Sequence, residues 1–176
     1  MRSLFFDTCA IIKFFIDEKG SDVVRWLLSG DRTVQDNLWR TSSPRARQEF
    51  LAVIERKCRD GQISRHRADH IKTTALAMFD QCIHVRGDNP APGLPGKDIS
   101  VAELVKRHNL TIGKNDWDMD HIEKIVNHLR FLGGTSRIQV VTSDGDFANI
   151  LQIEGYAVID PETATIAQLE ERWARE

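Results

Sequence analysis

The chain has 176 residues, 41% of them hydrophobic and 28% charged, with a formal net charge of −2. This suits one domain with a sizeable core, and it excludes wholesale disorder and a protein that is basic all over. The longest apolar stretch, Leu4 to Ile16, is interrupted by Asp7 and Lys13, so a membrane span of roughly 18–20 uncharged residues and a secretory leader are not expected. Cys9, Cys58 and Cys82 have no C-x-x-C spacing. Free thiols in a cytoplasmic protein are the expectation, with neither a disulfide framework nor a zinc knuckle.

Charge is unevenly spread. Residues 40–72 hold 9 Lys/Arg and 4 Asp/Glu, whereas residues 111–176 hold 6 and 12. A basic middle beside an acidic last third reads either as a polyanion-binding face next to a cation site or as two ordinary solvated surfaces.

Ser3 to Phe6 is a short apolar run that predicts a buried strand ending at Asp7. Thr8 is placed to cap a following helix that carries Ile11, Ile12, Phe14, Phe15 and Ile16. A second helix runs through Val23 to Leu28 and closes at Gly30. Leu38 to Thr41 is a weaker strand. Ser42-Ser43-Pro44 starts a helix with a hydroxyl cap and a proline in the first turn, and Gly61 stops it after Asp60. Its apolar stripe is Ala46, Phe50, Val53, Ile54 and Cys58. A helix over Ser64 to Phe79 and a strand over Ile83 to Val85 follow. Residues 86–98 hold three prolines and three glycines and must be loop. Further helices are expected over Ile99 to His108 and Asp118 to Leu132. Ile138 to Val141 is a β-branched strand, Phe147 to Gln152 a helix and Tyr156 to Ile159 the last strand. Alternating strands and helices predict an α/β domain with a mostly parallel sheet and helices on both faces. The Pro/Gly-rich stretch, about 86–115, reads as an insertion in a single domain spanning 1–176.

The acids sit at telling positions. Ligand sites of open α/β sheets lie beyond the carboxyl ends of the strands. Asp7 and Asp144 both follow strands, with Asp146 close behind. Each of these acids alone also suits a turn or a helix N-cap. Glu49 lies at the edge of an apolar helix stripe. A carboxylate there needs a partner or a cation, and Arg45 or Lys57 would serve as a surface partner. Asp116, Asp118 and Asp120 open the helix containing Ile122, where they suit either the helix dipole or a metal. Acids gathered without a Cys or His set point to a hard cation, Mg2+ or Mn2+, and to phosphate chemistry.

Four segments resemble the PIN-domain ribonucleases, most closely the VapC-type toxins of toxin–antitoxin pairs. They are Asp7-Thr8 with its apolar helix, Glu49 in the helix after Ser-Ser-Pro, Asp118-Met119-Asp120-His121-Ile122, and Val140 to Phe147 followed by Gly155 to Asp160. The resemblance implies a three-layer α/β/α domain and hydrolysis of RNA phosphodiester bonds by metal-activated water. It implies Asp7, Glu49, Asp118 and Asp144 as catalytic metal ligands, with Asp120 and Asp146 as reserves for a shifted alignment. It also implies Thr8 or Ser143 as groups orienting a ligand or water, and a cognate antitoxin and a homodimer as possible assemblies. Arg45 and Arg47 of the basic block are the expected RNA contacts nearest the site. The chain is longer than the compact toxins, which leaves open a free-standing RNA-processing nuclease. An inactive PIN-like RNA- or protein-binding module is the non-enzymatic alternative.

Overall fold

The computed structural model describes residues 2–29, 38–81, 84–85, 106–107 and 138–175. The elements in chain order are β1 (Arg2–Phe6), α1 (Thr8–Phe15), α2 (Ser21–Leu28), β2 (Leu38–Ser42), α3 (Pro44–Arg59), α4 (Arg65–Gln81), β3 (His84–Val85), β4 (Ile138–Val141), α5 (Gly145–Ile153), β5 (Ala157–Ile159) and α6 (Ile166–Arg175). The strands form one sheet in the order β3-β2-β1-β4-β5, and every pairing is parallel. The helix expected over Asp118 to Leu132 and most of the 86–115 insertion lie outside the described residues. Within the expected Ile99–His108 helix, Lys106 and Arg107 are helical.

This strand order reverses direction at β1. The chain leaves β1 toward β2 on one side and β4 toward β5 on the other. Right-handed crossovers in opposite directions put their helices on opposite faces. The core follows that division. On one face, Leu4 and Phe6 of β1, Val141 of β4 and Ile159 of β5 join buried side chains of α1 to α4 and α6. Alternation along the strands turns Phe5, Ile138 and Val140 to the other face, with Phe5 level with Val140 across the β1–β4 pair. Phe147, Ile150 and Leu151 bury the apolar side of α5. The result is a three-layer α/β/α domain with an all-parallel sheet.

Local chemistry explains the ends of the elements. Ser43 Oγ accepts the Ala46 N–H at 3.0 Å, and Pro44 occupies the first turn of α3, where its missing N–H costs nothing. β2 is apolar only in part, and its buried hydroxyls supply a second attachment to β1. Thr41 Oγ1 donates to Leu4 O at 3.3 Å, and Ser42 Oγ donates to Phe6 O at 2.7 Å. The N-cap of α1 is Asp7, not Thr8 as the sequence predicts. Thr8 is already the first helical residue, which frees its hydroxyl for another partner. Helix α6 goes beyond the elements expected from the sequence. It buries Leu169 and Trp173, and Trp173 stacks on Trp26 of α2 with ring centroids 5.2 Å apart.

The β5–α6 turn is pinned to the α1–α2 connection. Lys13 is 4% exposed; its ammonium meets Glu162 Oε1 at 2.8 Å and Glu18 Oε2 at 3.6 Å. Lys13 holds the Glu162 carboxyl below its usual range through a hydrogen bond and its charge. Glu18 is shared with Lys57 of α3 at 2.9 Å. Gly20 has φ +83, and a Cβ there would lie 2.3 Å from Pro161 O. Gly20→Ala adds left-handed strain to a clash with backbone that has no side-chain freedom to yield. It is expected to lower unfolding free energy by about 2–3 kcal/mol, as read from urea denaturation. A loss below about 0.5 kcal/mol would show that the two loops are not held together here.

Candidate active site

β1 and β4 are neighbours at the point where the strand order reverses, so their carboxyl ends border the crevice in which open α/β sheets bind ligands. Both ends carry an acid. Asp7 N donates to Val141 O at 3.1 Å, which ties the end of β1 to β4. Asp7 is half-buried. Its Oδ1 accepts the Thr8 N–H at 2.7 Å. Its Oδ2 takes the Thr142 hydroxyl at 2.9 Å and the Cys9 thiol at 3.0 Å. Asp144 is exposed and caps α5, its Oδ1 accepting the Phe147 N–H at 3.0 Å. Both carboxylates therefore sit at the positive end of a helix dipole. Asp146 is exposed in the first turn of α5.

Capping alone accounts for Asp7 and Asp144, but not for Glu49. This residue lies within α3 and is half-buried. Thr8 Oγ1 donates to Glu49 Oε2 at 2.7 Å. Thr8 thus holds Asp7 with its backbone N–H and Glu49 with its hydroxyl, joining the first turn of α1 to the side of α3. The surface pairing open to Lys57 in the sequence is not made with Glu49, since Lys57 Nζ donates to Glu18 at 2.9 Å and Gln62 at 3.3 Å.

Two residues absent from the sequence-based candidates complete the arrangement. Thr142, fully buried, donates to Asp7 and accepts the Asp144 N–H at 3.1 Å. Cys9 is in the first turn of α1, and its sulfur accepts the Ser143 N–H at 3.3 Å. Burial pushes the Cys9 thiol up to about 11, and the charge and hydrogen bond of Asp7 push in the same direction. The thiol therefore keeps its proton at neutral pH. Ser143 meets Cys9 through its backbone N–H, and Thr142 supplies a hydroxyl to Asp7. The signal available in the sequence was proximity to the two acids: Cys9 is two residues after Asp7, and Thr142 two before Asp144.

Of the expected RNA contacts, Arg47 is half-buried and donates to Asp80 of α4 at 3.0 Å, so its guanidinium is engaged along the α3–α4 side. Arg45 is half-buried in the first turn of α3, one helical turn before Glu49. Asp118 and Asp120 lie outside the described residues.

The donors match a hard divalent cation in kind, being carboxylate and hydroxyl oxygens near a strand end. Among the described residues no three His, Cys, Asp or Glu side chains form a group that could hold a metal ion. Asp7 and Glu49 supply two carboxylates linked through Thr8, while Asp144 turns one oxygen back to cap its own helix.

A solved structure of VapBC-1 from nontypeable Haemophilus influenzae is similar to this chain, with 16% sequence identity and a TM-score of 0.48, covering 90% of this chain and 98% of that chain. No family model matches the sequence, and no curated protein matches it. Among the described residues no helix is long and apolar enough to cross a membrane.

Proposed function

We propose that this protein is a metal-dependent endoribonuclease that hydrolyses RNA phosphodiester bonds with an activated water. The observation that carries the reading is Glu49. A half-buried carboxylate of α3 accepts the hydroxyl of Thr8, the residue that follows the acid at the end of β1. An acid placed there answers no capping requirement, and Thr8 bonds both it and Asp7. Carboxylate and hydroxyl oxygens of this kind suit a hard cation.

In this reading Asp7, Glu49 and Asp144 hold Mg2+ or Mn2+. Asp118 is the fourth catalytic carboxylate, and Asp120 and Asp146 are the reserves. The cation, when bound, lowers the pKa of its water and offsets charge at the phosphate. Thr8 sets the spacing between Asp7 and Glu49, and Thr142 fixes the carboxylate plane of Asp7. Asp144 would offer the oxygen that its cap does not use. Arg45 is the basic residue best placed to meet the RNA backbone. The similarity of the four segments to VapC-type toxins supports a toxin role, in the cytoplasm, as a homodimer inhibited by a cognate antitoxin. A catalytically inactive binding module is the second reading, favoured by the capping roles that Asp7 and Asp144 already fill.

RNA cleavage by the purified protein in Mn2+, in EDTA, and by Asp144→Asn in Mn2+ separates the two. Asn is as good an N-cap as Asp, so this substitution leaves α5 intact. Cleavage is expected by the wild type in Mn2+ alone. Cleavage under all three conditions would overturn the metal mechanism, and neither cleavage nor Mn2+ binding under any condition would favour the binding module.

A further inference from the structure

We infer that Cys9 is a positioning residue for Asp7, its thiol passing a hydrogen bond from the Ser143 amide to the Asp7 carboxylate and so locking the end of β1 to the β4–α5 turn. The inference rests on the nuclease reading above and assigns to that site a residue that touches neither the cation nor the RNA in it.

Asp7 Oδ2 is the charged acceptor within reach of both side chains. Thr142 and Cys9 each have a single side-chain hydrogen to donate, on oxygen and sulfur. Both lie within reach of Asp7 Oδ2, at 2.9 Å and 3.0 Å. Each is also the acceptor of a backbone N–H from the next turn: Asp144 N reaches Thr142 Oγ1 at 3.1 Å, and Ser143 N reaches Cys9 Sγ at 3.3 Å. Those two amides cannot reverse direction. Each side chain thus spends a lone pair on its amide and keeps its hydrogen for a second partner, and the charged Asp7 carboxylate is a stronger acceptor than the neutral group across the 3.3 Å approach of Cys9 Sγ to Thr142 Oγ1. Two parallel relays thus run from consecutive amides of one turn into one carboxylate oxygen. Thr142 does this from within the turn. Cys9 does it from α1 and is the only one of the two that ties the helix following β1 to the turn carrying Asp144. Asp7 and Asp144 are then placed relative to each other by a side chain that is neither of them.

Removing the thiol leaves Thr142 and the Thr8 amide on Asp7, so the damage is partial. Cys9→Ala is expected to stay folded, to cleave RNA about tenfold more slowly with an unchanged KM, and to bind Mn2+ several-fold more weakly. Cys9→Ser restores a donor and an acceptor at the same position and is expected to recover most of that loss. Amide hydrogen exchange provides a readout that needs neither metal nor RNA: the Ser143 N–H is expected to exchange faster in Cys9→Ala than in the wild type, and Cys9→Ser to restore its protection. Wild-type cleavage and Mn2+ affinity in Cys9→Ala would overturn the relay. So would a Cys9→Ser variant that is folded yet as impaired as Cys9→Ala, or Ser143 exchange that Cys9→Ala leaves unchanged. A wild-type protein that neither binds Mn2+ nor cleaves RNA would overturn the nuclease reading instead, and with it the positioning role. The Ser143 exchange would still decide whether the hydrogen bond exists.

Discussion

Asp7→Asn is expected to reduce Mn2+-dependent RNA cleavage at least a hundredfold, equivalent to about 2.7 kcal/mol of transition-state stabilisation, while the protein stays folded. Asn caps a helix as well as Asp does, so α1 keeps its first turn. The Thr8 amide cannot reverse, so the new amide oxygen must take its hydrogen and the NH2 group must face Thr142 and Cys9. Each of those retains a lone pair and can turn to accept. The stability change is accordingly expected within about 1 kcal/mol of zero, and circular dichroism and thermal melting check it. Any stability gained from relief of like-charge repulsion is opposed here. The charge of Asp7 is already met by three donors and a helix N-terminus. Full activity in Asp7→Asn would remove this residue from the site. A collapse in melting temperature would make its role structural.

Phe50→Ala is expected to produce the largest stability loss, about 3–5 kcal/mol, measured by urea unfolding. Phe50 is 0% exposed. It meets Phe15 of α1 edge-on at 5.4 Å between centroids and Phe79 of α4 at 6.0 Å. Truncation leaves a cavity between three helices whose backbones are fixed by the sheet beneath them, so little collapse can offset it. Domain stabilities run to about 5–15 kcal/mol, so the variant loses much of its margin. Phe50 is also the neighbour of Glu49, and loosening α3 against α1 is expected to disturb the Thr8–Glu49 bond. Phe50→Leu keeps most of the buried area and is expected to cost well under half as much. A loss below 1 kcal/mol in Phe50→Ala would contradict the packing of α3 described here.

The parts of the fold that local chemistry decides were legible in the sequence. β1 and β4 are apolar runs ending at an acid, and α3 announces itself by Ser43, Pro44 and a stripe at helical spacing. β2 was harder, because Arg40, Thr41 and Ser42 supply no apolar alternation and part of its attachment comes from hydroxyls that bond across to β1. Helix α6 carries only Leu169 and Trp173 as buried residues, and its place depends on Trp26, far away in the chain. At the site, the positions of Asp7 and Asp144 at strand ends followed from the pattern of elements. The bond between Thr8 and Glu49 did not, since it spans 41 residues and depends on how α3 lies against α1. The hydrogen bonds of Cys9 and Thr142 likewise depend on β1 lying beside β4 with Phe6 level with Val141.

The central claim is that the Asp7–Glu49 pair forms part of a hard-cation site, and direct Mn2+ titration tests it without requiring the right RNA. Electron paramagnetic resonance or calorimetry would follow Mn2+ binding to the wild type, to Asp7→Asn and to Glu49→Gln, each first shown to be folded. Saturable binding to the wild type is expected, weakened at least tenfold in both variants. Absence of saturable binding to the wild type, or undiminished binding in both variants, would contradict it.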